Sequence, residues 1–252
     1  YSISVIYMNK FPNINTLNNL GFKLINKDRF ESKTELLKFC ENLNPNKLIV
    51  SGRMSDDYLY VAKKMKDKTI RITVQDTIYK RSIKQLVIKM FRNHLYKKYF
   101  DKFWGVGSPQ SRFARDIGFE QKNIREGFYV ADKKFFDNST IIDNNNKFLK
   151  ILFIGRLVKE KNIQRLAESI DEINNEFKSN HKLIVIGDGY LKEKIAKYKC
   201  VELNGIITQD KIIEVAKTCD VFCLPSVYEP WGVVTHEMCC LGLPILISKK
   251  CG

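Results

Sequence analysis

The sequence contains no uninterrupted apolar stretch of about eighteen residues, the length that a helix needs to cross a bilayer. Its first thirty residues also lack the compact apolar segment of a secretory signal. We therefore expect a cytoplasmic protein. A dinucleotide fingerprint of the type G-x-G-x-x-G is absent too, so nothing suggests a nicotinamide cofactor.

The seven cysteines include no C-x-x-C pair and lie mostly inside apolar stretches, which is typical of reduced, buried thiols. Cys219 and Cys223 have the spacing of metal ligands on a helix, but the apolar residues Val221 and Phe222 between them favour a strand. No metal site is predicted.

Lysine and arginine are in excess, and the excess is confined to one half of the chain. Residues 1 to 150 hold 29 Lys and Arg against 15 Asp and Glu, whereas the remaining residues hold 14 against 13. Such an asymmetry suits a polyanionic partner, either nucleic acid or an anionic membrane. Lys80 to Trp104 predicts an amphipathic helix with a cationic face that suits a membrane surface. The alternative is a helix packed on the sheet with its basic face in solvent.

Short apolar runs alternate with amphipathic segments throughout the chain of 252 residues, which predicts an α/β fold with parallel sheets wrapped by helices. The predicted strands are residues 2–7, 47–51, 69–74, 103–106, 148–154, 182–186, 201–203, 221–224 and 244–247. The predicted helices are residues 32–42, 56–65, 82–99, 108–117, 162–177, 191–198, 210–217 and 233–241. The Asn-rich stretch 138–147 predicts a linker between two domains, residues 1–140 and 147–252.

Polar residues and glycines follow the predicted strands of the second domain, at the edge where open α/β sheets bind ligands. Arg156 and Lys161 come after the first of these strands, and two cations there suit a diphosphate. Gly232 precedes a predicted helix whose free N–H groups attract an anion. The alternative for the two cations is an ordinary, solvated surface position.

Glu229 and Glu237 have seven residues between them and flank the predicted helix start. Two carboxylates placed in this way reach different parts of one elongated ligand. The alternative is that an acid in the first turn only stabilises the helix dipole.

Four segments carry a family resemblance: GRLVKEKN, VIGDGYL, LNGII and DVFCLPSVYEPWGVVTHEMCCLGLPILIS. In order and spacing they resemble the donor domain of the family 4 retaining glycosyltransferases of GT-B fold. The resemblance implies two Rossmann-like domains, the C-terminal one incomplete. It also implies a donor that is a UDP-sugar or a GDP-sugar, no cofactor, and a reaction that needs no metal.

Carried over by position, the resemblance implies that Arg156 and Lys161 hold the diphosphate. Glu229 would contact hydroxyls of the donor sugar, and Glu237 would bind the ribose. The remaining positions implied for donor binding are Gly155, Gly187, Gly189, Gly205, Ile206, Gly232, Val233 and Val234.

The first half resembles the acceptor domain of the same family less closely. RITVQDTIYK lies where the family often has His-Asp, and this chain has Gln75 and Asp76 there. Both are candidate active-site residues. The three histidines, His94, His181 and His236, are interpreted as core or surface residues.

The implied reaction is transfer of a sugar to a glycan or lipid-linked acceptor, in polysaccharide, lipopolysaccharide or glycolipid synthesis. The basic helix would place the chain at the inner face of a membrane. By the same comparison the chain is expected to be truncated, at least at its C-terminus. The alternatives are an inactive donor-binding remnant, an epimerase or phosphorylase of similar shape, and a basic nucleic-acid-binding module, for which no motif is visible.

Overall fold

The computed structural model describes residues 2–8, 22–53, 55–76, 87–88, 90–91, 93–140 and 146–251. The chain divides into two compact units, Tyr1–Gly127 and Phe128–Gly252. The α/β fold with parallel sheets is confirmed, because each unit has a sheet whose described strand pairs are all parallel.

The first unit contains a four-stranded sheet of order β3-β4-β5-β6 and a separate pair, β1-β2. Its strands are β1 (Ser4–Tyr7), β2 (Lys23–Asn26), β3 (Lys47–Ser51), β4 (Ile70–Gln75), β5 (Lys102–Val106) and β6 (Ile124–Gly127). Its helices are α1 (Lys33–Leu43), α2 (Asp56–Lys64) and α3 (Ser108–Asp116). Ser32 caps α1 by accepting from Glu35 N, and Pro109 lies in the first turn of α3, where no amide hydrogen is required.

A buried arginine organises the first unit. Arg71 in β4 is 1% exposed, and its guanidinium donates to both carboxylate oxygens of Asp101 at 3.0 and 2.6 Å. It also donates to the carbonyl oxygens of Ala62 and Lys98. Burial alone would raise the pKa of Asp101, but the bonds and charge of Arg71 lower it below its ordinary value. The pair therefore ties β4 to the residue that precedes β5.

The second unit has a five-stranded sheet of order β11-β10-β7-β8-β9. Its strands are β7 (Lys150–Ile154), β8 (Lys182–Ile186), β9 (Val201–Gly205), β10 (Val221–Leu224) and β11 (Ile245–Ile247). Its helices are α4 (Lys133–Asp137), α5 (Ile163–Phe177), α6 (Lys192–Ile195), α7 (Gln209–Ala216) and α8 (Val233–Leu241). The central strands are covered on both faces, so they are nearly continuous apolar runs; Leu152, Phe153, Leu183, Val185 and Phe222 are fully buried.

The predicted strands and most predicted helices lie at the positions of described elements, with small differences at their ends. Val221–Leu224 is a strand, as predicted, and burial raises the pKa of Cys223 within it to about 11. The sequence analysis did not predict β2, β6 or α4. Of the predicted helix 82–99, residues 82–86, 89 and 92 lie outside the described ranges; Val87, Ile88 and Met90 are helical, and Asn93–Lys97 forms a π-helical turn.

Two other sequence expectations fall partly outside the described residues. Of the predicted linker 138–147, residues 141–145 are not described. The boundary between the compact units lies at Gly127 and Phe128, and the functional domain limits remain a prediction. Among the described residues, no helix combines the length and the apolar character that crossing a membrane requires.

Candidate functional site

The order of strands in the second unit creates a crevice beside β7. From β7 the chain moves to β8 and β9 on one side, and it then returns to β10 and β11 on the other side. When the connections after two neighbouring strands leave in opposite directions, a crevice opens at the carboxyl ends of those strands, and α/β sheets of this kind bind ligands there. The residues after β7 and β10 are therefore the candidates for a ligand-binding site.

An ion pair joins these two loops. Lys161 Nζ contacts Glu229 Oε2 closely, and the two side chains are only 14% and 10% exposed. The backbone supports the same connection, because Val227 N donates to the carbonyl oxygen of Glu160 at 2.9 Å. Glu229 N in turn donates to the carbonyl oxygen of Lys250 at 3.2 Å. Two residues that the sequence predicted for one ligand are thus brought together.

The start of α8 lies directly after Glu229. Gly232 adopts a left-handed conformation with φ of 73°, and a Cβ there would lie 3.1 Å from Glu229 Cγ. Gly232 provides no side-chain cap, so the first N–H groups of α8, at Val233 and Val234, and the positive end of the helix dipole remain available to an anion. The helix start predicted from the sequence is confirmed.

Glu237 lies one turn inside α8 and is half-buried. Burial raises the pKa of its carboxyl, and the nearby negative charge of Asp132 raises it further. Among the described residues no basic side chain pairs with it. A carboxylate kept out of water without a partner is expensive for the fold, which points to a ligand as its partner.

Arg156 follows β7 and is exposed. Within the described ranges its guanidinium forms no ion pair, so it is available to a ligand. Gly155 before it is fixed by a hydrogen bond from its N to the carbonyl oxygen of Ile186 at 3.0 Å. Of the two cations predicted for the site, Arg156 is therefore unpaired among the described residues and Lys161 is already paired with Glu229.

Two of the predicted glycines serve packing between loops. A Cβ on Gly187 would lie 2.0 Å from the carbonyl oxygen of Gly155, and one on Gly189 would lie 2.5 Å from that of Leu157. Only glycine lets the loop after β8 approach the loop after β7 so closely. Around Gly205, in contrast, the space is open, and the neighbouring Ile206 is 82% exposed.

The candidates in the first unit lie at the carboxyl end of β4. Gln75 is buried, and its side-chain oxygen accepts from the Tyr96 hydroxyl at 3.4 Å. The backbone carbonyl of Asp76 accepts from Gln110 Nε2 at 2.8 Å. Gln110 is 1% exposed, and its side-chain oxygen has no hydrogen-bond partner among the residues that the structure describes. Sequence reasoning missed Tyr96 and Gln110, since neither lies in a recognisable motif.

Trp231 and His236 were missed as well, although both lie within the motif. Trp231 Nε1 donates to the carbonyl oxygen of Tyr129 at 2.8 Å. His236 Nδ1 accepts from Ala131 N at 3.2 Å, so this exposed histidine has a defined backbone partner, which is compatible with the surface position expected from the sequence. Both partners are about a hundred residues away in the sequence, and no local signal reveals them.

Metal ligands do not cluster in the part of the chain that the structure describes: it contains no group of three or more His, Cys, Asp or Glu side chains able to hold an ion. The groups of the site with the charge or polarity to bind an anion are the side chains of Arg156 and Lys161 and the N–H groups that open α8. This arrangement is suited to binding a diphosphate beside a hydroxyl-rich ligand.

Comparisons with known proteins found a family model and several relatives that resemble this chain. Residues 134–252 match the family model described as Glycosyl transferases group 1. An uncharacterized glycosyltransferase of Methanocaldococcus jannaschii is 31% identical over 129 residues, which are 48% of this chain and 32% of that protein. The N,N'-diacetylbacillosaminyl-diphospho-undecaprenol alpha-1,3-N-acetylgalactosaminyltransferase of Campylobacter jejuni is 21% identical over 84% of this chain and 61% of its own length. The chain thus spans about a third of the first of these relatives.

Solved structures show the same fold at low sequence identity. Anabaena HepE, solved in complex with UDP and glucose, matches with a TM-score of 0.75 and 13% identity over 99% of this chain and 73% of that chain. WaaG, a glycosyltransferase involved in lipopolysaccharide biosynthesis, matches with a TM-score of 0.65 and 15% identity over 100% of this chain and 74% of that chain. The chain therefore has the fold of the GT-B glycosyltransferases, and its residues 134–252 are similar to the glycosyl transferases group 1 family.

Proposed function

We propose that this chain transfers a sugar, with retention of anomeric configuration, from a nucleoside diphosphate sugar to an acceptor hydroxyl. The observation that carries the proposal is the convergence of cations, carboxylates and an uncapped helix start at the crevice beside β7. The donor is a UDP-sugar or a GDP-sugar. Support for a uridine nucleotide comes from the fold neighbour HepE, which was solved with UDP and glucose.

The proposed roles follow from charge and position. Arg156 and Lys161, with the N–H groups of Val233 and Val234, stabilise the departing diphosphate, which lets the reaction proceed without a metal ion. Glu229 accepts hydrogen bonds from hydroxyls of the donor sugar, and Lys161 beside it holds its carboxylate in place.

Glu237 accepts from the ribose hydroxyls, and this contact supplies the partner that the half-buried carboxylate lacks. In the reaction the bond from the anomeric carbon to the diphosphate breaks. The acceptor oxygen forms its bond to the anomeric carbon on the same face, and its proton passes to the departing diphosphate oxygen, so no separate general base is assigned. Gln75 and Asp76 are proposed to act on the acceptor side.

The acceptor is proposed to be a glycan or a lipid-linked intermediate. Support comes from the Campylobacter relative, whose name specifies an undecaprenol-linked acceptor, and from the basic excess of residues 1 to 150. Positive charge attracts an anionic membrane surface, so we propose a peripheral association with the inner membrane face.

Calorimetric titration with UDP and with GDP in the presence of a chelator tests the site. We expect one nucleotide to bind, and we expect Arg156→Ala and Glu237→Ala each to weaken it about tenfold, or about 1.4 kcal/mol. Matched controls are Lys159→Ala and Glu176→Ala, which remove exposed charges from the same unit. If the controls weaken binding as much as the site variants, the residue assignments are wrong. If neither nucleotide binds, the inactive-remnant and nucleic-acid alternatives remain.

The stereochemistry has its own assay. Proton NMR of the sugar released from an α-linked donor distinguishes an initial α product, expected for retention, from a β product. Initial formation of the β anomer would contradict the retaining mechanism while leaving the nucleotide site intact.

A further inference from the structure

The second unit begins with a segment that lies along α8, and we define Phe128–Thr140 as the strap. Tyr129 and Ala131 contact Trp231 and His236 near the start of α8. At the other end of α8, Thr140 N donates to the carbonyl oxygen of Leu241 at 3.1 Å. The contacts follow the same order in both segments, so the strap runs alongside α8 in the same direction.

The strap is anchored to the core in its middle. Helix α4 occupies Lys133–Asp137, and its Phe135 is fully buried in the hydrophobic core of the second unit. Asp132 caps α4 by accepting from Lys134 N at 2.9 Å. Because α4 anchors the middle of the strap to the core, the residues before α4 can restrain the side chains that they contact.

The first residues of the strap contact the loop that carries the residues proposed to bind the donor. Between Glu229 and Gly232 the chain forms neither a helix nor a strand, and Pro230 has no amide hydrogen to donate. Glu229 itself is held by Lys161 and by its backbone bond to Lys250, and Trp231 adds a contact to the strap: its ring stacks on Phe128 with centroids 5.4 Å apart, and its indole N–H donates to the strap backbone. The segment between Glu229 and the start of α8 is thus tied to the strap two residues after Glu229.

His236 holds the strap next to Glu237, the second glutamate proposed to bind the donor. It directly precedes Glu237, and its Nδ1 accepts from the backbone N–H of Ala131. Because that nitrogen must be unprotonated to accept, the ring carries its proton on Nε2. Each proposed donor-binding glutamate therefore has a strap-binding residue within two positions.

We propose that Trp231 and His236 are positioning residues, which hold the strap against the donor loop and thereby fix Glu229, Glu237 and the start of α8 for nucleotide binding. The inference rests on the proposed function. A preorganised site loses less conformational entropy on binding, so loosening the strap weakens affinity without removing any ligand contact.

Calorimetric titration with UDP in the presence of a chelator tests this inference; GDP replaces UDP if GDP is the nucleotide that binds. His236→Ala and Trp231→Phe each remove one hydrogen bond, and we expect each to weaken binding about fivefold. His236→Asn places an amide oxygen near the position of Nδ1, so it should return the affinity to within about twofold of wild type.

A matched control distinguishes positioning from general stability. His181 Nδ1 also accepts a backbone N–H, that of Leu149 at 2.9 Å, and it directly precedes β8, at the amino end of the strands, whereas the candidate site lies at their carboxyl ends. His181→Ala should therefore lower the stability of the unit to a similar extent and leave UDP affinity unchanged. Circular dichroism confirms that each variant is folded before titration.

A spectroscopic measurement covers the case in which His236→Ala fails to fold. The chain has two tryptophans, so Trp104→Phe leaves Trp231 as the only one, and its emission should change when UDP binds. The inference is overturned if this emission does not respond, if His236→Ala binds as wild type does, or if His236→Asn is as weak as His236→Ala. Loss of binding in the wild type itself would instead refute the proposed function, and this inference with it.

Discussion

The ion pair between Lys161 and Glu229 makes a strong prediction about stability. Both side chains are about nine-tenths buried, so Lys161→Ala leaves the Glu229 carboxylate desolvated and without its cation. Removal of one partner from a buried pair typically costs about 3 to 5 kcal/mol. Because the pair lies at the rim of a crevice that water can reach, we expect the lower end, about 3 kcal/mol.

Urea unfolding measures this loss. With a denaturant slope of about 2 kcal/mol per molar, a loss of about 3 kcal/mol lowers the midpoint by about 1.5 M. Fluorescence in a Trp104→Phe background reports on the second unit alone, since Trp231 is then the only tryptophan. The control is Lys159→Ala, which removes an exposed lysine from the same turn and should change stability by less than about 0.5 kcal/mol.

A double variant separates the buried charge from the loss of packing. Lys161→Met with Glu229→Leu replaces the pair by apolar side chains of similar size, which is often neutral for stability. We therefore expect it to unfold at a higher urea concentration than Lys161→Ala. If Lys161→Ala and Lys159→Ala have the same urea midpoint of unfolding, the argument from burial of the ion pair is wrong.

Four further substitutions have expected outcomes. Burial raises the pKa of Glu237, so this residue contributes stability at a pH below the ordinary pKa of glutamate. The contribution is lost as the pH rises through the pKa that the residue has in the folded state. Glu237→Gln should therefore raise the urea midpoint at pH 7 while it weakens nucleotide binding. Gly187→Ala forces a Cβ to within 2.0 Å of a carbonyl oxygen and should cost about 3 kcal/mol in urea unfolding, whereas Gly205→Ala, in open space with φ of 65°, should cost about 1 kcal/mol. Asp101→Ala leaves Arg71 without its carboxylate and should lower the free energy of unfolding of the first unit by about 2 to 3 kcal/mol. Because the pKa of Asp101 is lowered, the difference in stability between wild type and variant should shrink as the pH falls below 3.8, where the carboxylate becomes protonated.

The sequence predicted most of the fold because buried parallel strands and amphipathic helices leave strong local patterns. The elements it missed lack such patterns. Strand β6 has the sequence IREG with only Ile124 buried, because it lies at the edge of its sheet. Helix α4 spans five residues, too few to show helical periodicity.

For the candidate site, sequence predicted positions but not contacts. Glu229, Gly232 and the start of α8 were predictable because they lie in one contiguous motif. The pairing of Lys161 with Glu229, 68 residues apart, depends on the order of strands in the sheet. The packing of Gly187 against the loop after β7 also depends on tertiary structure, so a ligand-binding role could not be separated from a packing role in advance.

Hydrogen–deuterium exchange with and without UDP or GDP tests the central claim most directly, because it locates the bound nucleotide along the whole chain. We predict slower exchange in residues 155–161 and 226–237, the segments at the crevice beside β7, with no added metal. Protection confined to the first unit, or no protection with either nucleotide, would contradict the assignment of the donor site to these residues.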